Sequence, residues 1–293
     1  MMARAKMHAE EIEIDNALVA RLLADQFPQW TDLPLSPVAS AGTDNALYRL
    51  GDDLSVRLPR IHWAVGQVER EMAWLSRLAP HLPLAIPAPL AVGEPGHGYP
   101  WRWGVYGWLA GANPDAALAA SPQTALDLAE FVAAIQQIDP TGAPVGRGVP
   151  LARRDAAVRT AIAALLNDYD PRTLTAAWET ALHTPPWPGP PLWHHGDLQA
   201  GNLLARHGRL AAVIDFGCMG VGDPACDVMA AWLFLSAETR AIFRDVLRVD
   251  DDTWARGKGW ALSMGLMALP YYRTTNPVLA AIGRRAIDEV LAD

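Results

Sequence analysis

The hydrophobic pattern of this chain changes period once, near Gly111, and that change dictates a molecule of two unlike halves. Ahead of it, Ser36 to Ser40, Ala46 to Leu50 and Leu54 to Leu58 are short β-compatible runs divided by AGTDN and GDD, both turn-forming, and they predict a three-strand meander. Two further extended pieces follow, around Leu90 and at WRWGVYGWL. Leu18, Leu22, Leu23 and Phe27 recur at helical spacing behind Asp15, a capping residue, so a helix precedes the first strand. Val65, Val68, Met72, Leu75 and Leu78 repeat that pattern over 62–78, until the proline-studded HLPLAIPAP ends it. Beyond Gly111 helices are expected near 122–138, 151–167, 173–183, 224–236, 239–247 and 253–269. Two loops interrupt them: PPWPGPPLWHHGDLQAGNLL, which its prolines keep irregular, and LAAVIDFG, a short buried strand ending at Gly217. The fold class is α+β. An N-terminal lobe, residues 1–106, holds about five antiparallel strands with one helix inserted after the third, and a larger, mainly helical lobe spans 107–293.

Composition narrows the function. With 293 residues, 51% hydrophobic and 19% charged, the chain can bury two cores and is neither disordered, collagenous nor a small disulfide scaffold. The net charge of −8 is spread over both halves, which excludes a broad cationic footprint for nucleic acid and leaves mild attraction for a cationic ligand. Cys218 and Cys226 are spaced for neither a CxxC metal site nor a secreted disulfide framework and read as reduced structural thiols. The start, MMARAKMHAEEIEID, turns acidic where a signal peptide needs an apolar run, and the longest uncharged stretch, Thr180 to Gly196, is broken by prolines. A cytoplasmic protein with no membrane partner is expected. Its oligomeric state is not written in these features.

His195-Gly196-Asp197-Leu198-Gln199-Ala200-Gly201-Asn202 has the form HxDxxxxN, and Asp215-Phe216-Gly217 begins thirteen residues after the asparagine. Alone, either piece is an ordinary turn. In this order, flanking an apolar strand, they match the catalytic loop and metal-binding turn of kinases. The chemistry accounts for the residue types. A phosphoryl group in flight carries several negative charges, and Mg²⁺ must be held against nucleotide phosphates by hard oxygens. Asn202 and Asp215 offer an amide oxygen and a carboxylate for that ion. Asp197 is then free to take a hydroxyl proton from the acceptor and orient it for in-line attack, which makes it the candidate catalytic base.

HHGDLQAGNLL, AAVIDFG and GVGDPACDVMAAW together resemble the aminoglycoside phosphotransferase family of the protein-kinase-like superfamily, which also includes choline, homoserine and macrolide kinases. The resemblance extends through SAGTDNALYRLG, LSVRLPR, VEREMAWLSRL and VYGWLAG, and so covers most of the chain. It implies a bilobal kinase-like fold, ATP or GTP as co-substrate with Mg²⁺, and a small-molecule hydroxyl as acceptor, foremost an aminoglycoside. The alternatives are a kinase of a macrolide, choline-like alcohol, homoserine or sugar, and a nucleotide-binding pseudokinase.

A kinase also needs a fixed cation on the third strand and a carboxylate on the next helix to anchor it. Only two of the 24 basic residues are lysines, and Lys6 and Lys258 lie in the wrong segments. Arg57 stands in the expected place, where the broad kinase pattern has Lys, and Glu71 is the anchor the family pattern implies; Glu69 would face elsewhere. Ser40 and Thr43, in a loop with one glycine, would donate to phosphate oxygens. Tyr106, Trp108 and Leu109 resemble the connection between lobes that pairs with and covers the nucleotide base. His195 would brace the catalytic loop, and Asp223 and Asp227 would serve as structural caps and braces. Trp232, Trp254, Trp260, Tyr271 and Tyr272 lie where the family builds its acceptor pocket, and Glu238, Asp250, Asp251 and Asp252 are the acids available to a cationic acceptor.

Overall fold

A computed structural model describes residue 8, residues 10–39 and residues 42–293, so the candidate phosphate contact Ser40, and Lys6, lie outside the described residues. The first helix, α1 (Asn16–Gln26), starts where Asp15 accepts the Leu18 N–H at 2.7 Å, satisfying one of the donors a helix start leaves unpaired. Its buried stripe of Leu18, Val19, Leu22 and Leu23 lies against a five-stranded sheet. The strands are β1 (Leu35–Pro37), β2 (Asn45–Leu50), β3 (Leu54–Pro59), β4 (Pro89–Gly93) and β5 (Trp103–Gly107), ordered β1-β2-β3-β5-β4 and antiparallel throughout. The helix α2 (Gln67–Leu78) lies between β3 and β4 in the chain, as the sequence implies. It begins later than its apolar period suggests, because Gly66 adopts φ 89 and separates it from a single 3₁₀ turn at His62–Ala64.

Register assigns the two faces of the sheet. Ala46, Tyr48, Leu50, Val56, Leu58, Trp103 and Val105 point toward α1 and form the smaller core. The cross-strand partners Leu47 and Arg57, Arg49 and Ser55, Ser55 and Tyr106, and Arg57 and Gly104 therefore share the opposite face, toward α2.

The remainder is mostly helical: α3 (Ala116–Ala119), α4 (Pro122–Gln136), α5 (Asp155–Ala163), α6 (Pro171–His183), then four short strands, then α7 (Ala225–Val228), α8 (Ala230–Leu233), α9 (Ala237–Leu247), α10 (Asp251–Tyr272) and α11 (Pro277–Ala292). Three differences from the sequence reading stand out. The helix expected at 151–167 is a 3₁₀ turn followed by the shorter α5, the segment 224–236 is two one-turn helices, and α11 has no counterpart in the expectation. The strands are β6 (Leu192–His194), β7 (Leu203–Arg206), β8 (Arg209–Val213) and β9 (Gly220–Gly222). β6 pairs with β9 and β7 with β8, so regular structure enters the proline-rich loop at its middle and at its C-terminal end.

The larger core contains Trp178, Trp193, Trp232 and Trp260, all fully buried. It also takes in Leu75, Leu78, Leu84, Ile86 and Tyr106 from the N-terminal part of the chain. α10 and α11 approach so closely that a Cβ on Gly265 would lie 2.7 Å from the Gly283 carbonyl oxygen. Cys218 and Cys226 are unpaired. Among the described residues no helix is long and apolar enough to cross a membrane.

Candidate active site

β6 brings the chain into the centre of the larger core, and His195-Gly196-Asp197 turn out of it. Asp227, at the start of the helical segment after β9, accepts the N–H groups of His195 and Gly196, both at 2.7 Å. Gly196 has φ +84, and a Cβ there would lie 2.7 Å from the Cys218 carbonyl oxygen, so glycine is required. The His195 imidazole accepts the Asp197 N–H at Nδ1, 3.1 Å away, and meets the Ile214 carbonyl through Nε2 at 3.0 Å. One ring thus sets the distance from the candidate base to the residue that precedes Asp215. This is the bracing role expected of His195, and Asp227 braces the same loop.

Two carboxylates and an amide converge beyond that ring. Asn202 donates through Nδ2 to both the backbone oxygen and Oδ2 of Asp197, each at 2.8 Å, which turns its own Oδ1 away from the aspartate. Ile214 N–H binds the Asn202 carbonyl at 2.9 Å, tying the Asp215 turn to the catalytic loop. Asp215 itself has φ 65 and ψ 68, a left-handed conformation sparsely used by residues with a side chain, and it aims its carboxylate back toward the sheet. There it meets Arg57.

Arg57 joins the two halves of the site. Its Nη2 pairs with Asp215 Oδ1 and its Nη1 with Glu71 Oε1 at 2.6 Å. The second Glu71 oxygen accepts from the Tyr106 hydroxyl at 2.6 Å. Tyr106 reaches it because its ring lies over Gly104, where a Cβ would stand 2.5 Å from the ring edge. Exposure separates the roles: the Glu71 side chain is 1% exposed, whereas Asp197 keeps 22% and Asp215 38%. Burial pushes the Glu71 carboxyl up, with Arg57 pulling the other way. Burial also acts to raise Asp215, but there Arg57 and the neighbouring His195 prevail and hold it below the usual carboxylate range. Arg57 loses hydration on burial, yet its two carboxylates hold it firmly charged.

The remaining candidates fall around this centre. Thr43 Oγ1 lies 3.2 Å from Asp44 Oδ1 and 3.3 Å from the Tyr272 hydroxyl, so its loop touches the end of α10. Trp108 has the Arg49 guanidinium over its ring at 4.8 Å, and its N–H is bound to the Asp53 carbonyl at 2.7 Å. Leu109 follows, half-buried. Tyr106 is turned toward Glu71, with its hydroxyl used as a brace. Lys258 pairs with Asp293 at 3.4 Å, on α10 and away from the phosphate-loop segment.

One residue of the candidate site has no signal in the motif spacing. Arg147 binds Asp197 Oδ1 at 2.5 Å and the Gly196 carbonyl at 3.0 Å. It stands in a loop before α5, and glycines flank it for a steric reason: a Cβ on Gly146 or Gly148 would come within 2.5 or 2.7 Å of the His194 ring. That Gly-Arg-Gly tripeptide is the only trace in the sequence. Each oxygen of Asp197 thus has a donor, Arg147 on one and Asn202 on the other.

The pattern of the phosphotransferase enzyme family matches residues 36–260, more than three quarters of the sequence. The chain belongs to that family. No protein of curated function matches it. Among solved structures, the GDP and kanamycin complex of APH(2")-IIia is 19% identical with a TM-score of 0.71, over 94% of this chain and 98% of that one. The gentamicin complex of APH(2")-IIa is 18% identical with a TM-score of 0.63, over 96% and 97%. The macrolide 2'-phosphotransferase MphH from Brachybacterium faecium, in its apo form, is 23% identical with a TM-score of 0.61, over 93% and 97%. The fold of this phosphotransferase is the bilobal kinase-like one, with its five-stranded sheet in the N-terminal part.

Proposed function

We propose that this phosphotransferase moves the γ-phosphoryl group of ATP or GTP to a hydroxyl of a small molecule, in a cleft between lobes 1–106 and 107–293. The observation behind this reading is the bridge from the sheet to the catalytic loop: Glu71 to Arg57 to Asp215, with Asn202 tied to Asp197 beside it. In this reading Asp197 accepts the acceptor's hydroxyl proton while its oxygen attacks the γ phosphorus, and the bond to the bridging oxygen breaks to release the nucleoside diphosphate. Arg57 grips the phosphates and Glu71 holds its angle. Thr43 and Ser40 donate to phosphate oxygens, and the segment of Tyr106, Trp108 and Leu109 borders the nucleotide base.

The donor set suits Mg²⁺ rather than a metal bound by protein alone. Asn202 and Asp215 offer two hard oxygens, and no group of three potential ligands gathers among the described residues. Such a pair completes its coordination with phosphate oxygens and water. Asn202 Oδ1 and the Asp215 carboxylate would hold the ion, whose charge would neutralise the transferring group.

For the acceptor, the relatives point first to aminoglycosides, since APH(2")-IIia is seen with kanamycin and APH(2")-IIa with gentamicin. A macrolide is the second reading, favoured by the likeness to MphH. Incubation with γ-labelled ATP or GTP, Mg²⁺ and kanamycin, gentamicin or a macrolide distinguishes them by which compound carries label. Label on none of them, with nucleotide still hydrolysed, would remove both antibiotic classes and leave the transfer reading intact.

A further inference from the structure

The wall beside Asp197 is basic where an aminoglycoside site needs acid. Arg147 and Arg154 both touch the sulfur of Met264 in α10, at 3.7 and 3.8 Å. Arg147 is matched by Asp197. Among the described residues Arg154 has no carboxylate partner: its Nε donates to Ser263 Oγ at 2.5 Å, its Nη2 meets the sulfurs of Met264 and Met267, and its Cζ lies 4.9 Å from the centroid of the Trp260 ring. Thioether sulfur is a weak acceptor, so among the described residues the terminal fork of Arg154 has no strong one. Burial and repulsion from Arg147 pull its guanidinium down to about 10, the mark of a cation held without compensation.

The acids that could reverse this charge are elsewhere. Asp250 caps α10, Asp251 pairs with Arg244, and Asp252 is exposed beside it, about twelve residues and roughly 18 Å along the helix from Met264. Glu238 is in the first turn of α9. Asp44 follows Thr43 in the loop before β2, where Trp63, Gln67 and Thr43 donate to its oxygens.

We propose that Arg154 receives a carboxylate or phosphate group of the acceptor, so that the alcohol presented to Asp197 is an anionic one. The inference rests on the transfer reading above and, against both antibiotic acceptors considered there, names an anionic substrate class. The Nη1/Nη2 edge, left to weak sulfur acceptors while Nε is held by Ser263, can grip either oxyanion in a bidentate manner, and the accessible parts of Met264 and Met267 give the acceptor's carbon skeleton an apolar floor. An anion also relieves the cost of the half-dried guanidinium, whereas a polycation would add to it.

The test uses matched probes: gluconate and glucose 6-phosphate as anions, glucose as the neutral compound and glucosamine as the cation. Each is titrated by calorimetry into the full chain loaded with Mg²⁺ and a non-hydrolysable ATP or GTP analogue. At least one anion should bind tenfold or more tighter than glucose, glucosamine should bind no better than glucose, and Arg154→Met should erase the difference. Arg154→Lys, which keeps the charge and loses the fork, should retain part of it and guards against misfolding of the first variant. No preference for anions, tighter binding of glucosamine, failure of every probe to bind, or a preference that survives Arg154→Met would overturn the proposal. Nucleotide hydrolysis by the wild type that is lost in Asp197→Ala would show the transfer reading still standing in any of those cases; absence of that hydrolysis would instead remove the reading itself.

Discussion

At the scale of single residues the site is a set of charges whose partners fix both their positions and their protonation. Replacing Glu71 by Gln leaves Arg57 held by Asp215 alone, and affinity for Mg-nucleotide, read by calorimetry, should fall at least tenfold, a loss of about 1.4 kcal/mol. Unchanged affinity would take the Glu71 anchor out of the account. His194 makes a different kind of prediction. It is fully buried, accepts the Gly148 N–H at 3.0 Å, and is driven down to about 3 by burial, with His195 and Arg147 adding to the effect. An unfolded histidine takes its proton near pH 6.5. The folded value is depressed, so this side chain contributes stability above pH 6.5 that is lost as pH falls toward 3. The slope from one such proton is about 1.4 kcal/mol per pH unit. His194→Gln should flatten the pH dependence of the urea unfolding free energy between pH 6.5 and 4 relative to wild type; parallel curves would contradict it.

Elements carry those residues into place, and here the sequence is readable where local rules dominate. Asp15 starts α1 as its position implies, and the strands at 45–50 and 54–59 follow their turn signals. Other boundaries depended on contacts the sequence does not display. Gly66 cuts the helix that the apolar period begins at residue 62. β7 and β8 are joined at His207 and Gly208, with φ of 53 and 76, a hairpin turn in the short gap between the proline-rich loop and LAAVIDFG. α11 opens with Asn276 capping and Pro277 at the first position, a legible start that an expectation ending at residue 269 does not reach. In the candidate site, Asp197, Asn202 and Asp215 were evident from spacing, while Arg147 was not, since its partner lies 50 residues away in a separate loop. The β5 strand offers a direct test. Gly104→Ala would force the Tyr106 ring off Glu71, costing roughly 1–3 kcal/mol of stability in denaturant and weakening nucleotide binding alongside it. Wild-type nucleotide affinity in that variant would show that the Tyr106 brace is dispensable.

For the whole molecule, the two halves meet through the ion-pair bridge at Arg57 and through Thr43 against Tyr272. On the proposed function, a nucleotide seated between them would bind the folded protein and not the unfolded chain. At a hundred times its dissociation constant it should therefore add about 2.7 kcal/mol of stability, seen as a rise in Tm. That rise should require Mg²⁺ in the wild type and lose its Mg²⁺ dependence in Asp215→Ala, since the variant lacks the carboxylate that would hold the ion; a shift in the variant that still depends on Mg²⁺ would count against Asp215 as a ligand. The central claim is that Asp197 takes the proton of the group attacking the γ phosphorus. Its most direct measurement is the turnover of γ-labelled nucleotide by Asp197→Ala, with nucleotide affinity followed in parallel. Turnover should fall at least a hundredfold while affinity changes by less than about threefold. Turnover within a few-fold of wild type would contradict it.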